Sequence, residues 1–193
     1  MGAIFQSLGR TVLAGVVLLV LLVLAVGTNV GVSHAWWTFV MRWLHVLCGV
    51  MWIGLLWYFN FVQIPSMPKI PDEQKPAISK VIAPEALFWF RWAALATVVT
   101  GLLLAYMSTY IVAALSLQKP FTAIGIGMWL ALVMAFNVWF IIWPNQKKAL
   151  GIVTVEAAEK AKAARLAMLT SRANTMLSIP MLFCMVAQQN GGL

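Results

Sequence analysis

Long stretches of this sequence pass without a single charged side chain. No Asp, Glu, Lys or Arg occurs from Thr11 to Met41, from Trp43 to Pro68, from Trp92 to Gln118, or from Pro120 to Gln146. Each stretch holds a run of about 16 to 29 mostly apolar residues. A helix rises 1.5 Å per residue, so about 20 such residues cross the roughly 30 Å hydrocarbon layer of a bilayer. The chain has 63% hydrophobic and only 9% charged residues. A water-soluble domain has about a quarter charged residues. So few charges cannot cover an aqueous surface of this size, and a soluble fold is excluded.

The sequence therefore predicts an all-α integral membrane bundle of about five transmembrane helices in one domain, residues 1–193. The spans are placed at about 11–27, 36–64, 85–106, 121–143 and 173–188. The first also has the form of a secretory leader, with Ser33-His34-Ala35 as a cleavage-like tripeptide. It is expected to remain as a helix. The second carries Trp36, Trp37 and Trp43 near one interface and Trp57 and Tyr58 near the other, as an aromatic belt requires. Pro65, Pro68, Pro71, Pro76 and Pro84 then suggest a stiff, extended loop, with one short interfacial helix near 74–82. Pro84 is expected to open the third span, where its missing N–H costs nothing. The fourth is expected to stop at Pro144. An amphipathic helix at about 154–170 precedes the fifth span, in which Pro180 predicts a kink. Ala93, Thr97, Gly101 and Ala105 on the third span face a similar row, Ala123, Gly127, Ala131 and Ala135, on the fourth. Small residues four apart let helix backbones approach closely in lipid, so these two helices are expected to be antiparallel neighbours.

Basic residues set the orientation. Arg10, Lys69, Lys75, Lys80, Lys147, Lys148, Lys160, Lys162, Arg165 and Arg172 fall on one side of a five-span chain, and only Lys119 falls on the other. The positive side is cytoplasmic. The expectation is a multi-pass protein of the bacterial cytoplasmic (inner) membrane, with its N-terminus inside and its C-terminus periplasmic. The formal charge of +8 does not indicate nucleic acid, because these residues lie in loops between apolar runs. The lipid bilayer is the expected partner.

Polar groups inside the spans are the functional candidates, because each is expensive to bury in lipid. Arg42 and His45 share a face of the second span, which Gly49 and Trp52 continue. Arg91 lies about 10 Å into the third span, counted from Pro84. Asn137 lies in the fourth. Asn174 and Ser178 line the fifth, followed by Met181 and Met185. The sharpest chemistry is haem b: an imidazole ligand, His45, with Gly49 one turn on to let a macrocycle approach the backbone. Arg42 or Arg91 would hold the propionates. His34 lies eleven residues from His45, about 16 Å along a helix, and cannot complete the same site. Met185 is one candidate for the second axial position, and His45 of a second copy in a homo-oligomer is another. Alternatively, His45 is a helix–helix contact, Arg42 reaches toward the headgroups, and the methionines only pack.

Other chemistries lack their residues. None of the five acidic residues lies mid-membrane, so an acid relay is excluded. Cys48 and Cys184 lie in apolar runs and read as buried free thiols; there is no CxxC and no CxxCH. No phosphate loop, zinc spacing or hydrolase triad occurs.

The segments Arg42-Trp43-Leu44-His45-Val46, Gly49, Trp52-Ile53-Gly54 and Tyr58-Phe59-Asn60-Phe61 resemble the membrane domain at the N-terminus of bacterial membrane-bound urate oxidases. So do Trp89-Phe90-Arg91-Trp92 with Thr100-Gly101, Asn137-Val138-Trp139 through Trp143-Pro144-Asn145-Gln146, and Ser171-Arg172-Ala173-Asn174-Thr175 with Ser178-Ile179-Pro180-Met181. The resemblance spans about residues 38–185. More distantly, the histidine helix is similar to the HemJ type of protoporphyrinogen oxidase and to CopD-type copper proteins. These likenesses imply a haem- or metal-associated bundle with His45 as iron ligand and Arg91 as supporting cation. In the urate oxidases a fused cytochrome c domain accepts electrons. Here a separate cytochrome c or a larger membrane complex would have to do so. Three functions follow as expectations: a haem-b redox subunit, an accessory or structural subunit without cofactor, or an enzyme acting on a porphyrin or purine.

Overall fold

Helices account for nearly all the ordered backbone, as charge-free runs require when every N–H and C=O must be satisfied within its own segment. The computed structural model describes residues 2–27 and 30–191, and no strand occurs among them. Two units divide the chain, Met1–Val40 and Met41–Leu193.

In the first unit a short helical turn, Gly2–Phe5, precedes α1, Leu8–Val26. Thr11 Oγ1 donates to the carbonyls of Ser7 and Ile4 and ties the turn to the helix. α1 buries none of its residues, and most of its leucines and valines are exposed. Gly27 ends it by donating its N–H to Val23 O. The next helix, α2, begins at His34, with Ser33 Oγ accepting the N–H of Trp36.

α2 is helical through His34–Lys69, α3 through Lys75–Met107, and α5 through Thr122–Ala149; the short α4 is Ile111–Leu115. With α1, these long helices make four that are long and apolar enough to cross a membrane. The last helix, α6, is Ala157–Asn190, 34 residues without a break. The amphipathic helix and fifth span expected separately are one element. α6 falls short on apolar composition because Asn174, Ser178 and the Gln188-Gln189-Asn190 end dilute its apolar run. The count of five spans is therefore approximate.

The proline-rich segment is largely helical, not extended. α2 continues past Pro65 and Pro68 to Lys69, and helix resumes at Lys75. Three wide, π-type turns explain how: Tyr58–Gln63, Ile78–Ile82 and Asn137–Ile142. Each ends two residues before a proline: Pro65, Pro84 or Pro144. In a regular helix the proline ring strikes the carbonyl four residues back. Here the residue before each proline bonds five back instead: Ile64 to Phe59 O, Ala83 to Ile78 O and Trp143 to Val138 O. The extra residue per turn moves the carbonyl aside. Pro84 thus lies within α3, and α5 runs past Pro144 to Ala149.

α5 and α6 form the principal antiparallel pair. Ile124 faces Gln188, Gly127 faces Cys184, Met134 and Asn137 face Asn174, and Lys148 faces Glu159. Asn174 is fully buried; its Nδ2 donates to Met134 O (2.9 Å) and its Oδ1 accepts from Asn137 Nδ2 (2.8 Å). Asn60 donates to Ser171 Oγ, and Trp57 Nε1 donates to Ser178 Oγ at 3.0 Å, so the lower part of α2 is bonded to α6. The core of this unit is Trp52, Leu56, Phe59, Phe90, Ala94, Met134, Val138 and Ile142. The two small-residue rows do not meet as one seam. Gly101 of α3 lies against His45 of α2, while Gly127 of α5 lies against Cys184 and Met185 of α6. α3 and α5 do touch, through Trp92 and Trp139, whose rings meet edge-on at 5.4 Å. α4, which no periodicity announced, packs on the start of α5. A Cβ at Gly125 would lie 2.0 Å from Ala114 O, so only glycine admits that backbone contact.

Candidate functional site: a histidine-lined cavity

His45 stands on α2 where α3 passes. Its Nδ1 lies 3.0 Å from Thr97 O and 3.2 Å from Thr100 Oγ1. A carbonyl only accepts, so Nδ1 carries the proton. Thr100 Oγ1 in turn donates to Ala96 O at 2.7 Å, which leaves its lone pair for the imidazole. In the neutral ring the proton on Nδ1 leaves Nε2 with a lone pair. His45 lines a cavity of about 630 Å³ within the Met41–Leu193 unit. That volume lies in the range of small-molecule and cofactor sites. A histidine that ligates a metal characteristically donates its other N–H to a carbonyl, which fixes the tautomer and the ring plane. Thr97 supplies that arrangement here.

The walls come from α2, α3, α5 and α6. They are chiefly apolar, with Ile53, Leu102, Leu132 and Met128 among them. Gly49 and Gly54 also line it. A Cβ at Gly49 would touch only Thr97 Cγ2, at 3.9 Å, and one at Gly54 would meet nothing within 4 Å. Neither glycine is needed for helix packing, so both leave space on the cavity side of α2. At one end the lining reaches Trp57, whose Nε1 donates to Ser178 Oγ. At the other, α3 and α6 finish and α5 begins, and there Arg42, Tyr110, Gln189 and Asn190 gather. Val46, Val50 and Val186 line the cavity and are themselves more than half exposed, so it opens sideways on the surface of this unit.

The expected site residues separate. His45, Arg42, Gly49 and Met185 all line the cavity. Arg91 does not. Its guanidinium lies 3.9 Å from the Trp143 ring centroid and 5.4 Å from that of Phe88, and Nη1 donates to Leu87 O. Six residues before Thr97, it sits about 9 Å back along α3. A cation on an aromatic face is well placed without a ligand. Asn137, Asn174 and Ser178 are engaged in helix–helix bonding. Met181 is buried and also lines the cavity, Cys184 is a buried thiol, and Cys48 is also free. No group of three or more His, Cys, Asp or Glu that could hold a metal ion occurs among the described residues. Sequence reasoning missed the parts contributed by α3 and the α3–α4 turn: Thr97 and Thr100 as partners of His45, Gly101 as the seat of its ring, and Tyr110. The one available signal was the Thr97, Thr100, Gly101 cluster, three polar or small residues within five positions of an apolar run.

The described residues thus form an all-α bundle with four helices long and apolar enough to cross a membrane, and His45 lines a cavity of the size that small-molecule sites have. Residues 109–191 match the family model described as urate oxidase N-terminal. The matched segment carries α4, α5 and α6, with Met185, while His45, Arg42 and Arg91 precede it. No curated protein and no solved structure matches the chain.

Proposed function

We propose that this protein is a haem-b-binding redox subunit of the bacterial cytoplasmic membrane, with His45 Nε2 as an axial ligand. The observation that carries the reading is the geometry of His45. Nδ1 is committed to Thr97 O, Nε2 makes no hydrogen bond among the described residues, and His45 lines an apolar cavity of a size that a cofactor fills. Haem bound there would supply one-electron chemistry. The protein's own part is to hold the ring plane through Thr97 and Thr100 and to exclude water with the apolar walls. Met185 is the candidate second ligand, since it lines the same cavity from α6; His45 of a second copy is the other. A separate cytochrome c, or a larger membrane complex, would exchange electrons with it.

The orientation belongs to the same proposal. With α6 packed antiparallel along the whole of α5, a membrane crossed by α5 is crossed by α6 as well. Five crossings put the N-terminus in the cytoplasm and the C-terminus in the periplasm, on the side of the Arg42 end of the cavity.

A cofactor-free accessory subunit is the competing reading. The bond from His45 to Thr97 favours it, since that bond alone makes the ring a clamp between α2 and α3. A porphyrin- or purine-converting enzyme, as the HemJ-type and urate oxidase likenesses imply, would need turnover of a defined substrate. Absorption spectra of the detergent-purified protein, oxidised and dithionite-reduced, separate the first two. Haem that reduces with a sharp α-band and is lost in His45→Ala supports the redox subunit. Protein made with ample haem that shows no Soret band, or retention of haem by His45→Ala, overturns it.

A further inference from the structure

The polar groups of the cavity are segregated. Arg42, Tyr110, Gln189 and Asn190 cluster at one end, His45 stands about one helical turn further along α2, and apolar walls run on to Trp57. The Arg42 guanidinium makes no hydrogen bond or ion pair among the described residues, and its Nε is buried without a partner. A cation held part-buried and unpaired is costly, and an anion reaching it removes that cost. Tyr110 stacks on Phe121, ring centroids 5.2 Å apart, which fixes its position beside Arg42. Burial raises the Tyr110 phenol above its ordinary value, and the nearby charge of Arg42 offsets part of that, so its hydroxyl remains a neutral donor. The Gln189 amide adds further donor capacity, and no carboxylate lines the cavity.

Resting on the haem reading, we propose that this end is a carboxylate subsite: Arg42, with Tyr110 and Gln189, takes the acid groups of the porphyrin whose iron lies on His45. The groups that would hold the acids thus lie toward the ends of α3 and α6, and the apolar lining lies toward Trp57. Arg91, over Trp143, takes no part. A guanidinium presents a fork that matches a carboxylate with two parallel hydrogen bonds, which a lysine cannot reproduce.

The test is a spectral titration of the full-length protein with haem b and with haem whose two carboxylates are methyl esters. The expected result is about tenfold tighter binding of the free acid by wild type. Arg42→Gln should abolish that preference while leaving the ester's affinity near that of wild type. Tyr110→Phe should reduce the preference in part, and serves if Arg42→Gln does not fold. Equal affinity of wild type for acid and ester overturns the subsite and leaves the His45 reading standing. So does a preference that survives Arg42→Gln. If neither porphyrin gives a His45-dependent spectrum, the haem reading fails and the subsite with it. The titration is run in nanodiscs of zwitterionic lipid and repeated with phosphatidylglycerol. Displacement of haem by the anionic lipid in wild type alone would assign Arg42 to headgroup phosphate and overturn the proposal; no displacement supports it.

Discussion

Gly101 lies where a side chain would collide with His45: a Cβ there would stand 2.7 Å from the imidazole Cε1 and 3.1 Å from Nδ1. The bond from Nδ1 to Thr97 O holds the ring against α3, one turn from the glycine. The ring plane is thus set by two features of a helix other than its own. Gly101→Ala should push the ring off Thr97 and cost about 1–3 kcal/mol, the usual range for an extra methyl in a packed site. Haem affinity should fall with it. Gly15→Ala, where a Cβ meets nothing within 4 Å, is the matched control and should change neither melting temperature nor binding. If the two variants behave alike, the ring is not seated by Gly101.

Asn174 joins α6 to two points on α5. Asn174→Ala removes a side-chain bond to the buried Met134 O, which keeps the Asn137 backbone N–H, and leaves the part-buried Asn137 Nδ2 without its partner. The expected loss is about 1–3 kcal/mol. In a double-mutant cycle with Asn137→Ala the coupling should be about 1 kcal/mol, typical of side-chain bonds between membrane helices. Additive losses would mean that the amide–amide bond contributes nothing.

Gly125 and Gly127 sit two positions apart on α5 and should respond differently. A Cβ at Gly125 meets backbone, Ala114 O, which has little freedom to move. One at Gly127 meets the Cys184 Cβ at 3.1 Å and the Met185 Cε at 3.3 Å, and a methionine tip yields readily. Gly125→Ala should destabilise by at least about 2 kcal/mol and Gly127→Ala by roughly half that. The check is a pair of thermal melts in one detergent; the reverse ranking would contradict the packing of α4 on α5.

The C-terminal side of the membrane depends on α6. Alkaline phosphatase fused after residue 191 should be active, and a fusion within 150–156 inactive. The opposite pattern at the C-terminus would leave four crossings and place α6 along the cytoplasmic surface.

Asp72 lies outside the spans, with the Lys75 ammonium bonded to it at 2.6 Å. That bond, and then the lysine's charge, hold its carboxyl below the ordinary carboxylate value. A lowered pKa in the folded state means that the contact helps fully above the unfolded pKa and is lost as pH falls through the folded one. A carboxyl titration followed by NMR should show Asp72 ionising below its ordinary value, and Lys75→Gln should return it upward. An unshifted Asp72 in the wild type would show that the contact does not persist in solution.

How much of this was legible beforehand follows from what kind of signal each feature leaves. Helix type, membrane class and the approximate spans are written in runs of apolar residues, because lipid demands apolar side chains over a fixed length whatever the neighbours are. His45 and Arg42 stand out for the same reason: a polar group in such a run is rare enough to notice. The prolines misled because an extended segment and a wide-turned helix tolerate them equally, and only the bonds made by Ile64, Ala83 and Trp143 distinguish the two. The small-residue rows correctly made neighbours of α3 and α5 but did not tell what each glycine receives. A small residue permits close approach without naming what approaches, and Gly101 received a ring while Gly127 received a neighbouring helix. Arg91 and Arg42 are equivalent as letters; folding set one over Trp143 and the other beside the cavity. A helical membrane bundle and the few groups able to carry chemistry could be read from the residues alone, since both depend on single-residue transfer energies. Which of those groups face one another, and that Thr97 fixes the tautomer of a histidine 52 residues away, only the packing of α2 on α3 decided. Those contacts depend on helix register and shape, which no local pattern encodes.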